Sequence, residues 1–206
     1  MRRLLALLFA LLVHPAQAAE AHGPASDALP SHAFQLAARS HPHGQIGVNF
    51  GLSQLLLGGF NVAVEGRWHR LVIEYSHGLH LDYGALGGFA LTDDERAQDL
   101  GITSPWTTGG GLGFVLLDEL YAGVELKGHR YAVQAPGGEA FAYTTMSVGP
   151  VLAWRFFIWR GLHANAYLRY WPNVWTSLDD NRHTLADGRT HAAKDLGLFA
   201  NVSLGW

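Results

Sequence analysis

The 206-residue chain contains no cysteine, which excludes disulfides and thiolate metal centres. It is also poor in charge. Asp, Glu, Lys and Arg make up 15% of it, fewer than a water-facing surface usually carries. There is no basic excess: 17 acids outnumber 14 Lys and Arg, and no basic tract occurs. A nucleic-acid-binding surface is therefore excluded. Long apolar runs are missing as well. Leu4–Val13 is too short to cross a bilayer comfortably, and nothing later is long and apolar enough to do so as a helix. A helical membrane protein is excluded on that ground. Glycine, by contrast, is abundant at 25 residues, which favours an all-β chain with tight turns.

Arg2 and Arg3, the apolar run Leu4–Val13 and the Ala-x-Ala ending of Pro15–Ala18 have the order of a secretory signal peptide. The expected signal segment is 1–19, with cleavage after Ala18 or Ala19. Its removal leaves 12 Lys and Arg against 17 acids, a net charge of about −5 with His neutral. Residues 20–44 are rich in Ala, Pro, Ser and His and lack alternation, so they read as a flexible lead-in, with at most a short helix near Ala33–Arg39.

Residues 45–206 carry eight alternating segments. They fall near Gln45–Ser53, Leu57–Trp68, Arg70–Leu81, Thr107–Leu117, Leu120–Gln134, Tyr143–Phe157, Leu162–Trp175 and the C-terminal strand. One face of each is apolar. The other carries Glu65, Glu74, Glu125, Lys127, Arg155 and Arg169. The links after the second, fourth and sixth segments are short. Those after the third, fifth and seventh are long, and the link after the first is short again. Transmembrane barrels have this asymmetry of short turns and long external loops. Aromatics sort by height: Trp68, Tyr121, Trp159 and Trp206 lie beside the short turns, and Trp106, Tyr143, Trp171 and Trp175 toward the long loops. Two aromatic girdles suit two water–lipid interfaces.

The last strand alternates Leu196, Leu198, Ala200, Val202, Leu204 and Trp206 with Gly197, Phe199, Asn201, Ser203 and Gly205. A terminal aromatic on such a strand resembles the C-terminal signature of bacterial outer-membrane β-barrels. The resemblance implies a small outer-membrane barrel surrounded by lipid and lipopolysaccharide, and contact with barrel-insertion machinery through that strand. The expected fold is all-β: a closed eight-stranded antiparallel transmembrane up-and-down β-barrel. The competing reading is a soluble lipocalin-like or streptavidin-like barrel, with the apolar face inward. Six charges on the opposite face would then lie outside, and the charge supply is too low for that surface.

Two details resist a regular barrel. Pro150 falls mid-strand, where a bulge or ladder break is expected. Gly109, Gly110, Gly111 and Gly113 call for a bulky neighbour to fill the space they leave.

The chemistry follows from placement. Glu65, Glu74, Glu125, Lys127, Arg155 and Arg169 are expected to form a lumenal charge network, with no open pore. A narrow solute or proton conduit is the alternative. Glu74-Tyr-Ser-His-Gly-Leu-His80 places Ser76, His77 and His80 near the outer rim as catalytic candidates. A hydroxyl, an imidazole and an acid suit acyl transfer, and some eight-stranded outer-membrane enzymes act on lipid A in that way. Ser76 and His77 point to opposite faces, while Glu74, Ser76 and His80 share one, and a remote partner such as His129 or His163 could complete a site. Thr92 and Glu95 have capping-box spacing for a short external helix. Asp179 and Asp180 add to an acidic outer rim. His41 and His43 lack a third metal ligand at fixed spacing, and the glycine run lacks the Lys-Ser/Thr of a phosphate loop. No metal and no cofactor is expected. A structural or surface-interaction role leads, with a lipid-modifying enzyme second.

Overall fold

A computed structural model of the chain describes residues 41–117 and 119–206. The signal segment, the candidate helix at 33–39 and the lead-in up to residue 40 lie outside the described residues. The chain forms β1 (His41–Gly51), α1 (Leu52–Leu55), β2 (Phe60–His69), β3 (Leu71–Asp82), α2 (Asp93–Ala97), β4 (Gly101–Leu117), β5 (Leu120–Gln134) and β6 (Ala140–Trp159). It continues with β7 (Leu162–Trp171), β8 (Asn173–Thr176), β9 (Arg182–Thr184), β10 (Thr190–Ala192) and β11 (Gly197–Gly205). Each wall strand pairs antiparallel with its neighbours in chain order, β5 pairs β6, and β11 pairs both β7 and β1. β8 continues β7 along β6. The result is a closed barrel of eight strands.

Register fixes its tilt. From Asn49 one path runs through Ala63, Ser76, Gly109 and Lys127 to Ser147. The other runs through Gly205 and His163 to Phe157. The two paths meet β6 ten residues apart. That stagger tilts the strands by roughly 40° and leaves an interior that side chains fill.

Alternation sets the two faces. Ile46, Val64, Ile73, Leu112, Val124, Leu152, Leu168 and Leu198, one from each wall strand, are outward and exposed. Glu65, Glu74, Glu125, Lys127, Arg155 and Arg169 are inward and buried. Short links after His69, Leu117 and Trp159 lie at one end. Connections 83–100, 135–139 and 177–196 lie at the other.

β4 starts well before its expected span, for a reason it shares with β3. His80 takes a left-handed backbone, φ 57°, between the pairs Leu79–Trp106 and Leu81–Ser104, opposite Pro105. Both strands change face there. β4 therefore begins at Gly101, six residues before its uninterrupted alternation becomes visible. At Pro150, β6 keeps its ladder with β5, where Val124 faces the proline. Its ladder with β7 stops at Val151–Arg169 and resumes at Ser147–Asn173. Pro172 lies in the same gap, so each strand withholds a donor from the other.

The mouth at the long-loop end is closed by an apolar cap. Leu81, Tyr83, Leu100, Ile102, Tyr131, Val133, Tyr143 and Leu185 form one buried cluster under the loops. Helix α2 carries the capping box: Glu95 N–H donates to Thr92 Oγ1 at 3.2 Å, and Thr92 N–H to Glu95 Oε2 at 2.7 Å. Glu95 is buried rather than on an acidic rim. Its Oε2 also accepts from Lys194 Nζ at 2.8 Å, which ties α2 to the last loop. In the β9–β10 hairpin, His183 faces His191, and His191 Nε2 lies 3.1 Å from Tyr143 Oη.

Breaking the Glu95–Lys194 pair leaves a lone buried charge, at a cost of about 3–5 kcal/mol. Lys194→Met is expected to make the loops at 83–100 and 177–196 more sensitive to protease. The barrel strands should stay resistant, and peptide mapping after limited digestion reads the difference.

Burial holds the His191 imidazole below the ordinary histidine range, against the pull of Glu95 and with that of Lys194 and His183. The neutral ring is thus the form that fits. Its contribution is whole above about pH 6.5 and declines as pH falls below that value. Loop protection measured by hydrogen exchange should fall between neutral and mildly acid pH, and His191→Gln should flatten that profile.

Candidate functional site: the filled lumen

The lumen is built by the inward positions of all eight strands. Glu65 of β2 and Glu74 of β3 are direct cross-strand partners, an arrangement that repels unless bases intervene. Glu65 Oε1 accepts from Arg67 Nε at 2.6 Å and from an Arg155 terminal nitrogen at 2.7 Å. Arg155 Nε donates to Asn165 Oδ1 at 3.0 Å. Asn165 Nδ2 reaches Asn49 Oδ1 at 2.9 Å, with His163 Nε2 3.1 Å from the same oxygen.

Arg169 grips Glu125 with two nitrogens, at 2.9 and 3.1 Å. It also donates to Asn201 Oδ1 and, at 3.5 Å, to Glu74 Oε1. Trp171 Nε1 donates to Glu125 Oε2 at 2.8 Å, and the Arg169 guanidinium lies 3.8 Å from the Tyr167 ring centre. Tyr167 Oη donates to Glu74 Oε2 at 3.4 Å. With Arg67 3.8 Å from Glu119, the acids Glu65, Glu74, Glu119 and Glu125 pair with three arginines, Arg67, Arg155 and Arg169, and Lys127 is buried beside them.

The glycine strand makes room for this network. A Cβ on Gly109 would lie 2.8 Å from Lys127 Cδ, and one on Gly111 2.8 Å from Glu125 Cγ. The bulky neighbours that the glycines require are therefore the charged side chains of β5, lying across β4.

The catalytic candidates separate. Ser76 is buried in the lumen, where Lys127 Nζ donates to its Oγ. His77 is outward and half-buried, and His80 is exposed because its left-handed backbone turns it out of the lumenal face that parity alone would give. His129 Nδ1 bonds Thr107 Oγ1 at 2.8 Å, and His163 bonds Asn49 and the Gly161 carbonyl. No imidazole among the described residues hydrogen-bonds Ser76.

The aromatic assignments need correction at three positions. Trp68, Trp159, Trp206 and Trp175 are exposed on the outside, and Trp106 lies across Gly128. Tyr121, Tyr143 and Trp171 are inward and buried. Their heights suit a girdle, but they share parity with Glu125, Ser147 and Arg169, and parity decides the face. Arg67 is the functional residue that sequence reasoning missed. It lies two residues from Glu65, so the same period-two rule would have placed it in the network.

A polar cavity of about 30 Å³ remains between Ser76, Lys127, Glu74, Asn49, Asn201 and Gln54. Asn49 Nδ2 and Gln54 Oε1 are buried there without a hydrogen-bond partner. Lys127 Nζ also lies 5.5 Å from the Trp171 ring centre.

No protein-family model matches the chain, and no curated protein matches it. Among solved structures, the chain is similar to a crystal structure of a major outer membrane protein from Thermus thermophilus. Identity is 13% and the TM-score 0.43, over 79% of this chain and 98% of that one. The class of the molecule, a closed eight-stranded antiparallel barrel, rests on its own strand pairing rather than on a likeness of that degree.

Arg169→Gln would leave Glu125 and Glu74 short of their shared base. It is expected to cost about 3–5 kcal/mol, and the double variant Arg169→Gln/Glu125→Gln less than the single one. Chemical denaturation in detergent, followed by tryptophan fluorescence, reads both.

Proposed function

We propose that this barrel spans a bacterial outer membrane and serves there as a non-conducting structural or surface-interaction protein. The observation that carries the reading is the outward belt. Every wall strand exposes large apolar side chains, and most wall-strand charge is buried in the lumen, at Glu65, Arg67, Glu74, Glu125, Lys127, Arg155 and Arg169, with Arg130 and Asp82 outside it. Water would oppose that exterior, whereas lipid favours it. Exposed Trp68, Trp159 and Trp206 at one end and Trp175 toward the other suit the two interfaces. Lipid and lipopolysaccharide are the proposed surroundings, and β11 is the proposed contact for insertion machinery. The ion pairs crossing the lumen and the apolar cap above them argue against a conduit.

Expressed with its leader, the protein should fractionate with the outer membrane and change gel mobility on boiling in detergent. Purified barrels should give no steady conductance in planar bilayers. A soluble product without a boiling shift would overturn the membrane placement, and stable channel openings would overturn the closed lumen.

A further inference from the structure

We propose that Ser76 and Lys127 form a hydrolytic site for acyl esters of a membrane amphiphile, reached through the barrel wall at α1. The inference rests on the membrane placement above and adds an activity to it. Ser76 and Lys127 are 7% and 2% exposed, and the lysine donates to the serine Oγ. Glu125 is occupied by Arg169 and Trp171, and Glu74 by Arg169 and Tyr167. Among the described residues, no carboxylate oxygen lies within 4 Å of Lys127 Nζ. A lysine amine that has released its proton, set against a serine hydroxyl, is a base beside a nucleophile. Asn49 Nδ2, buried and without a partner beside the same cavity, is a donor available to a developing oxyanion.

The wall beside this cavity is incomplete. β1 pairs β11 only from Asn49 to Gly51, with one further bonded pair between Val48 and Trp206. Beyond Gly51 the chain turns into α1, and Val202 N–H of β11 is satisfied by Ser53 Oγ at 3.1 Å instead of by a strand. Gln54 of α1 lines the cavity, while Leu55 and Leu56 are more than half exposed on the outside. One helical turn thus separates a polar, nucleophile-bearing cavity from an apolar exterior. At about 30 Å³ the cavity holds one water, so an ester enters only as α1 moves out. A polar ester beside Ser76 and a hydrocarbon tail along Leu55 and Leu56 match the two sides of that turn.

The chemistry balances without a cofactor. Ser76 Oγ adds to the ester carbonyl as its proton passes to Lys127 Nζ. The carbonyl–alcohol C–O bond breaks, and the alcohol leaves with that proton. Water then adds to the acyl-serine with Lys127 again accepting a proton, which releases the fatty acid and restores Ser76.

The test uses the purified full-length barrel in detergent, its folding verified by the boiling shift. An alkyl fluorophosphonate should form an adduct that peptide mass mapping places on Ser76. Ser76→Ala should abolish labelling, and Lys127→Arg, whose guanidinium cannot take up the serine proton, should slow it by about 100-fold or more. Mixed micelles of a diacylglycerophospholipid and, separately, of an acylated glycolipid should release fatty acid from at least one, which identifies the source. Because the chain has no cysteine, Ser53→Cys with Val202→Cys offers a clean lock of α1 onto β11. Oxidation should stop turnover, and reductant should restore it. A folded barrel that shows no Ser76 adduct, or releases fatty acid from neither micelle, would overturn the proposal while leaving the membrane placement standing.

Discussion

The structure depends on a charge network enclosed where water cannot compensate it. An eight-stranded barrel has an interior that side chains fill, so each lumenal charge needs a partner within reach. Arg169 is the centre of that requirement. It binds Glu125 with two nitrogens and still reaches Glu74, which directly faces Glu65 across β2 and β3. Arg67 and Arg155 relieve the other acid. The glycines of β4 follow from the same constraint. Long side chains from β5 must lie flat across a neighbouring strand, and any Cβ at Gly109 or Gly111 would occupy their path.

Backbone closure is the second constraint, and it is met unevenly. A barrel in lipid needs its wall hydrogen bonds satisfied internally. From β2 to β6 the ladder is interrupted only by bulges between β4 and β5, but it thins at two places. Between β6 and β7, Pro150 and Pro172 concentrate the missing donors in a single gap. Between β11 and β1 the seam is short, and Ser53 supplies a side-chain acceptor where a strand carbonyl would otherwise stand. Irregularity is thus gathered at sites where a local substitute exists. The mouth at the long-loop end uses a different solution, an apolar cluster like a small soluble core, clamped by Lys194 and Glu95.

Much of this is legible in the sequence. Alternation, loop asymmetry and low charge lead to eight strands with an apolar exterior, and the capping box at Thr92 and Glu95 locates α2. Errors arise where one rule is used without the other. Height alone puts Tyr121, Tyr143 and Trp171 in the girdles, although their parity with lumenal residues turns them inward. The span of β4 is cut short because Pro105 and His80 reverse the face of both strands at once, and a single-strand pattern registers that as the end of alternation.

What the sequence determined by itself is the periodicity: which residues share a face, how many strands there are, and that the charges lie together on one side. Those properties are local, set by a two-residue repeat and by turn chemistry. What only the tertiary structure decided is which charges meet. Ser76 and Lys127 are 51 residues apart, and Arg169 and Glu74 are 95. Their contact follows from the ten-residue stagger of the closed barrel, a property of the whole ring of strands that no local pattern encodes.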